Sequence, residues 1–183
     1  MIFLTGGTGF IGAHFLYHLL SKGEEVLALR RKNSDLKYIE KVFSTYSDNY
    51  QSLFKKIKWV EGDIDDYSLI YNSLEGADTI FHLAATVSFD PREQYRMMMT
   101  NIQGTSNIVN AALERKITRL VHLSSVGALD PVKQGKETTE ENFANNPKRA
   151  SRYSESKFKS ELEVWRGIEE GLEALIVNPS IVL

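Results

Sequence analysis

The sequence predicts an α/β fold, a doubly wound parallel β-sheet with helices on both faces. Three observations carry that expectation. The amino end passes from a short apolar run through a glycine turn into a helical pattern. Apolar runs of strand length then recur five more times, most of them separated by enough chain for a crossover helix. Small and hydroxyl residues follow several of these runs, at the ends where such sheets bind ligands.

Length and composition bound the rest. The 183 residues, 42% hydrophobic and 25% charged, suit one globular domain spanning residues 1–183. A net charge of −2 and a pI near 6.1 give no electrostatic reason to expect nucleic acid or an anionic membrane as partner, which leaves a small molecule. The absence of cysteine excludes disulfides, thiolate chemistry and cysteine-ligated zinc. No run approaches membrane-spanning length, and a first strand at Met1 leaves no room for a signal peptide, so the expected address is cytoplasmic.

The first element is Ile2-Phe3-Leu4, a buried strand that breaks into Thr5-Gly6-Gly7-Thr8-Gly9. A helix follows, with Ile11, Phe15 and Leu19 four apart and Leu16 and Leu20 beside them. Gly6, Gly9 and Gly12 let the turn close, the backbone approach a ligand and the helix pack on its strand. The free N–H groups and positive dipole end of that helix suit a pyrophosphate. A glycine triplet alone is weak evidence; its strand and helix context strengthens it.

Gly23 is positioned to cap the first helix. Val26-Leu27-Ala28-Leu29 is the second strand, and Arg30-Arg31-Lys32 follows it. In a dinucleotide fold this point meets the adenosine ribose, where a carboxylate would hold a free 2′-hydroxyl. Cations suit a 2′-phosphate instead, so NADP is the expected cofactor, with NAD the alternative and a solvated basic loop the bland reading. Residues 33–58 read as one or two helices and a connection without chemistry. Ile57-Lys58-Trp59-Val60 is the third strand. The acids after it read as helix-capping carboxylates rather than a metal site, with Asp63 placed to accept from an adenine amino group and the backbone of Ile64 to touch the ring.

The fourth strand and its turn occupy residues 77–85, where Ala84 and Ala85 let the backbone lie near a ligand. His82 reads as a hydrogen-bonded core histidine. His14 and His18, four apart, have no third ligand nearby and read as packing. Asp90, Pro91 and Glu93 read as a capped helix start. Met97, Met98 and Met99 read as filler or as pocket lining. The fifth strand, 117–123, ends in Ser124-Ser125. Residues 126–152 are polar and long for a connection, the pattern of a lid, a binding segment or a disordered loop.

The helix after that loop sets Tyr153 and Lys157 one turn apart on one face, with Phe158, Leu162 and Trp165 as an apolar stripe. Residues 175–183 read as the sixth strand. A tyrosine titrates near ~10, and bringing it to about 7 takes roughly 4 kcal/mol in favour of phenolate. A lysine ammonium and a nicotinamide cation both act in that direction. Ser125 could then hold a substrate carbonyl oxygen while Tyr153 delivers a proton and the cofactor a hydride. A Tyr–Lys pair at this spacing is common by chance and carries little alone.

Together these residues resemble the extended branch of the short-chain dehydrogenase/reductase superfamily, the NAD-dependent epimerase/dehydratase family. The resemblance runs through Thr5-Gly6-Gly7-Thr8-Gly9-Phe10-Ile11-Gly12, Gly62-Asp63-Ile64, Phe81-His82-Leu83-Ala84-Ala85, Asn101-Ile102-Gln103-Gly104-Thr105, Ser124-Ser125 and Tyr153-Ser154-Glu155-Ser156-Lys157, in the family's order. Arg30-Arg31 and the run His82 to Phe89 look most like the dihydroflavonol reductase and hydroxysteroid dehydrogenase group.

The resemblance implies a Rossmann-type fold. It also implies Tyr153 as general acid/base, Lys157 as the residue that binds the nicotinamide ribose and lowers the tyrosine pKa, and Ser125 as orienter of the carbonyl. Asn101 would support the lysine through water. Gly6, Thr8, Gly9, Phe10, Ile11 and Gly12 would form the nucleotide loop and Leu83, Ala84 and Ala85 a cofactor wall, while Pro179 and Ser180 would meet the nicotinamide carboxamide. Family members continue past the sixth strand into a substrate-pocket region that these residues do not include, and an apolar edge is expected where it would pack. They often dimerise through the helices at 94–116 and 153–170. The expected reaction is hydride transfer between NADP(H) and a ketone or secondary alcohol. An NAD-dependent nucleotide-sugar epimerase or dehydratase, and a non-catalytic dinucleotide sensor, remain open as alternatives.

Overall fold

The computed structural model describes residues 1–88, 90–130, 137–142, 151–180 and 182. In chain order the elements are β1 (Ile2–Thr5), α1 (Phe10–Ser21), β2 (Val26–Arg30), α2 (Leu36–Ser44), α3 (Gln51–Phe54), β3 (Lys58–Glu61), α4 (Tyr67–Ser73), β4 (Thr79–His82), α5 (Gln94–Glu114), β5 (Arg119–Leu123), a 3-10 turn (Val126–Ala128), α6 (Arg152–Glu169) and β6 (Ala174–Val177). The strands form one parallel sheet in the order β3-β2-β1-β4-β5-β6. The chain winds outward from β1 through β2 and β3, then returns to lay β4 on the other side of β1. Ligands of such sheets bind at that reversal, above the carboxyl ends of the strands.

Alternation along β1 divides the apolar interior. Ile2 and Leu4 join Leu16, Leu20, Ile39 and Phe43 on the α1/α2 face, whereas Phe3 joins Ile70, Ile80, Ile108, Leu120 and Val164 on the α4/α5/α6 face. Both faces of β1 are covered, which is why its sequence is a continuous apolar run rather than an alternating one. Gly23 adopts φ +83° and closes α1 through its N–H to the Leu20 carbonyl.

Two local readings change. β6 is the four-residue strand Ala174–Val177, followed by Asn178 and Pro179, a residue with no N–H for a ladder; Ile181 and Leu183 lie outside the described residues. The capped helix start at Asp90 is instead a turn, with α5 beginning at Gln94. Asp90 Oδ1 accepts from the Arg92 N–H at 2.9 Å, and its carboxylate pairs with the Arg92 guanidinium, so this local bond displaces the cap. The stripe of α6 faces outward at Leu162 and Trp165, 42% and 43% exposed, while Ser156, Lys157, Ser160 and Glu161 are buried against the sheet end and α5. Much of the connection read as a lid, a binding segment or a disordered loop, 131–136 and 143–150, lies outside the described residues. Among the described residues no helix is long and apolar enough to cross a membrane.

Candidate active site at the carboxyl edge of the sheet

β1 delivers Thr5 to the sheet edge and the chain turns at Gly6, where φ is +75°. A Cβ on Gly6 would lie 2.6 Å from the Ala84 nitrogen, so the turn rests directly on the chain leaving β4. The Gly9 N–H closes the turn on the Gly6 carbonyl at 2.9 Å. Gly9 then caps α1 with no side-chain acceptor, and the first turn of α1 holds no acid, so the leading N–H groups of the helix are available to an anion.

A cleft of about 230 Å³ opens over the ends of β1 to β4. Gly6, Thr8, Gly9, Arg30, Arg31, Asp63, Ile64, Leu83, Ala84 and Ala85, all expected at a cofactor, line it. Phe10, Ile11 and Gly12 do not: they begin α1, with Phe10 turned outward and Gly12 against the Gly6 carbonyl. Leu29, Thr86 and Thr100 also line the cleft and were not foreseen. Leu29 stands one residue before the arginines and was legible from that; Thr86 and Thr100 are brought in by tertiary packing alone.

The two arginines differ. Arg30 pairs with Glu61 at 3.0 Å, while Arg31 is exposed and has no ion pair among the described residues. Arg31 is therefore the cation that is open at the ribose end of the cleft. On the neighbouring wall, the Asn107 amide donates to the Ile64 carbonyl at 2.9 Å. The Ile64 side chain lies over Gly104, where a Cβ would come within 2.3 Å of its Cδ1. α5 thereby holds the Asp63-Ile64 turn in place. Asp66 caps α4 by accepting from the Leu69 N–H at 3.0 Å, a structural role for one of the acids.

Outside the cleft lining, Ser125 leaves β5 and accepts from the Gly127 N–H at 3.1 Å, starting the 3-10 turn. The Asn178 amide donates to the Ser125 carbonyl at 3.1 Å, and the Val126 N–H donates to the Pro179 carbonyl at 3.0 Å. Pro179 and the exposed Ser180 are thus held beside Ser125, outside the cleft lining. Lys157 is buried and donates to the Leu123 carbonyl at 2.7 Å. Burial lowers its pKa to about 8, with the Glu161 carboxylate acting the other way.

The geometry bears on two of the expected roles. Tyr153 was expected to be drawn down by Lys157 together with a bound nicotinamide cation. In the structure, burial of the phenol pushes it above 10, the Ser125 side chain alone opposes that rise, and the ammonium is directed to Leu123. Asn101 was expected to support Lys157. Its side chain instead clamps Thr86, accepting from the N–H at 2.7 Å and donating to the carbonyl at 3.0 Å, and donates to Ser156 Oγ at 2.9 Å. Asn101 therefore secures the cleft rim.

Below the site, His82 is fully buried, with Nδ1 2.7 Å from Thr5 Oγ1 and Nε2 3.1 Å from Thr105 Oγ1. Its neighbour across the ladder, His122, is equally buried, and neither ring nitrogen has a partner among the described residues. His14 bonds Tyr46 through Nδ1 at 2.7 Å and His18 packs edge-on to the same ring, so both are part of an aromatic cluster on α1. The residues present fit a dinucleotide: a helix start without its own cap, a glycine turn pressed on the β4 exit, and an open cation at the ribose end.

The family model described as the NAD dependent epimerase/dehydratase family matches residues 2–183. The chain is 35% identical over 178 residues to a Synechocystis sp. protein provisionally named dihydroflavonol 4-reductase, covering 97% of this chain and 48% of that protein. The crystal structure of gox2253 superposes with a TM-score of 0.83 at 30% identity, over 98% of this chain and 51% of the other. DesIV of Streptomyces venezuelae, a dTDP-glucose 4,6-dehydratase solved with NAD bound, gives a TM-score of 0.77 at 28% identity over 96% of this chain and 54% of its own. The chain spans about half the length of the curated relatives it matches.

Proposed function

The chain belongs to the NAD-dependent epimerase/dehydratase family, and from that premise we propose that it carries the cofactor site and acid–base set of an oxidoreductase that moves hydride between NADP(H) and a ketone or secondary alcohol. The observation that carries this reading is the meeting of Tyr153, on whose phenol the Ser125 side chain acts, with buried Lys157 one turn away on α6. When bound, the nicotinamide supplies or takes the hydride. In the reducing direction Ser125 donates a hydrogen bond to the carbonyl oxygen, and Tyr153 gives that oxygen its phenolic proton as the carbonyl carbon is reduced. Lys157, held cationic, favours the phenolate left behind. Asn101 keeps Thr86 at the cleft rim. Pairing of two copies through α5 and α6 belongs to the same proposal, with Leu162 and Trp165 as exposed apolar groups on α6. So do a cytoplasmic address and a small-molecule partner.

Tyr153→Phe is the test of the acid. In protein that turns over a ketone, this change removes about 10²–10⁴-fold of kcat and leaves NADPH affinity within about twofold of the parent. Retained turnover would refute the assignment, and a sensor without chemistry would be indifferent to the change.

Arg31 tests the choice of cofactor. Arg31→Ala weakens NADPH binding by about 10- to 100-fold, the worth of a charge-assisted bond to phosphate, and leaves NADH binding nearly unchanged. Titration of nicotinamide fluorescence measures both. A second reading, an NAD-dependent nucleotide-sugar epimerase or dehydratase, draws support from the likeness to DesIV and from the carboxylate of Glu61 beside Arg30. Tighter binding of NADH than of NADPH in the parent protein would select it.

A further inference from the structure

Glu161 is 2% exposed, one turn beyond Lys157 on the same face of α6. An ionised carboxylate is rarely taken so far from water without a partner. Its partners include two kinds. The Asn178 amide donates to Glu161 Oε1 at 2.6 Å and also reaches the Ser125 carbonyl at 3.1 Å. Glu161 also acts on Lys157 as the charge that opposes its desolvation. Among the described residues, the other polar groups around the ammonium supply no negative charge. His82 on β4 and His122 on β5 are buried neutral imidazoles, Tyr153 is a protonated phenol, α5 presents Asn101 and Thr105, and the Leu123 carbonyl accepts the ammonium itself.

We propose that Glu161 is a positioning residue of this site: a buried counter-carboxylate that keeps the Lys157 ammonium charged and in place and, through Asn178, pins the backbone of Ser125. The inference rests on the reading of Lys157 and Ser125 given above. It joins three separate chain segments, α6, the exit of β5 and the exit of β6, at one carboxylate. Removing that negative charge leaves an uncompensated buried cation, the costly half of a broken pair.

The test reads the lysine directly, without cofactor or substrate. Lysine side chains are labelled with ¹³C at Cε, the Lys157 signal is assigned by its loss in Lys157→Arg, and the signal is followed from neutral to alkaline pH. In Glu161→Gln the Lys157 midpoint is expected to fall by about one to three pH units, while Glu161→Asp retains most of the parent value. An unchanged midpoint in folded Glu161→Gln overturns the proposal, whether or not the oxidoreductase reading stands. Loss of turnover in Tyr153→Phe with an unmoved Lys157 midpoint separates the two. If Glu161→Gln does not fold, the Lys157→Met background decides. With no cation to leave unpaired, Lys157→Met/Glu161→Gln is expected to fold. A double variant that also fails to fold overturns the proposal.

Discussion

Gly12→Ala is expected to lose measurable dinucleotide binding together with about 2–4 kcal/mol of stability. A Cβ at position 12 would lie 2.0 Å from the Gly6 carbonyl oxygen and 2.7 Å from its carbon. Non-bonded heavy atoms sit well beyond 3 Å apart, and both partners here are backbone, so no side chain can swing aside to make room. The turn cannot retreat toward β4 either. Gly6 already rests on the backbone of Leu83 and Ala84, and its φ of +75° fixes the direction of the chain. Relief must come from lifting α1 off its strand, which moves the N–H groups meant for phosphate. Thermal unfolding and titration with NADPH measure the two effects. A useful control is Gly23→Ala, which sits at φ +83° with nothing within 4 Å of its Cβ and is remote from the cleft. It should lose about 1 kcal/mol to backbone strain and bind as the parent does. Equal binding by both variants would refute the role given to the close approach of α1.

The second large effect is acid destabilisation beginning well above the carboxylate range. Burial, reinforced by the Lys157 charge, lowers His82 from 6.5 to about 3 and moves His122 in the same direction. A folded-state pKa below the unfolded value means that the unfolded chain binds more protons between the two. Stability from these residues is therefore complete above pH 6.5 and is lost as pH falls toward 3. Over the full window His82 alone represents roughly 5 kcal/mol, a large part of an ordinary domain's stability. Between pH 6.5 and about 5, where carboxylates have hardly begun to protonate, His82 should remove about 2 kcal/mol and His122 should add to the loss in the same direction. Urea unfolding at stepped pH provides the measurement, and the C2 proton resonances of His82 and His122 should stay in place while the protein remains folded. A flat unfolding free energy from pH 7 to 5 would show that these rings are not buried as neutral groups.

The nucleotide end of this site was legible in the sequence because its physics is local. Glycines at 6, 9 and 12 between an apolar run and a helical pattern have few other uses, and Arg30-Arg31 directly follows a strand. The burial of His82 was legible from its place in an apolar strand. Other features depend on what the chain folds against. The apolar stripe of α6 carries Leu162 and Trp165 at the surface while the helix buries Lys157 and Glu161, because that face meets the exits of β5 and β6, which no pattern within α6 states. The partners of Asn101 lie 15 residues before it and 55 after it, at Thr86 and Ser156, separations that no local pattern encodes. The Asp90 turn was misread because an Asp side chain serves a helix cap and a two-residue turn equally well.

The hydrogen bonds around His82 also carry a direction. The Asn101 carbonyl can only accept, so Thr105 Oγ1 donates its single proton there, at 2.7 Å. Thr105 must then accept from His82, which places the ring hydrogen on Nε2 and leaves Nδ1 as an acceptor. Thr5 donates to that nitrogen and in turn accepts from the Ala84 N–H at 3.2 Å. Every donor from the cleft wall at Ala84 to α5 at Asn101 points the same way, a head-to-tail file with one tautomer and one sense. A proton added at Nδ1 would set an N–H against the Thr5 hydroxyl proton and reverse that link. Protonation beneath the sheet is thereby felt at Ala84, on the surface a dinucleotide would touch.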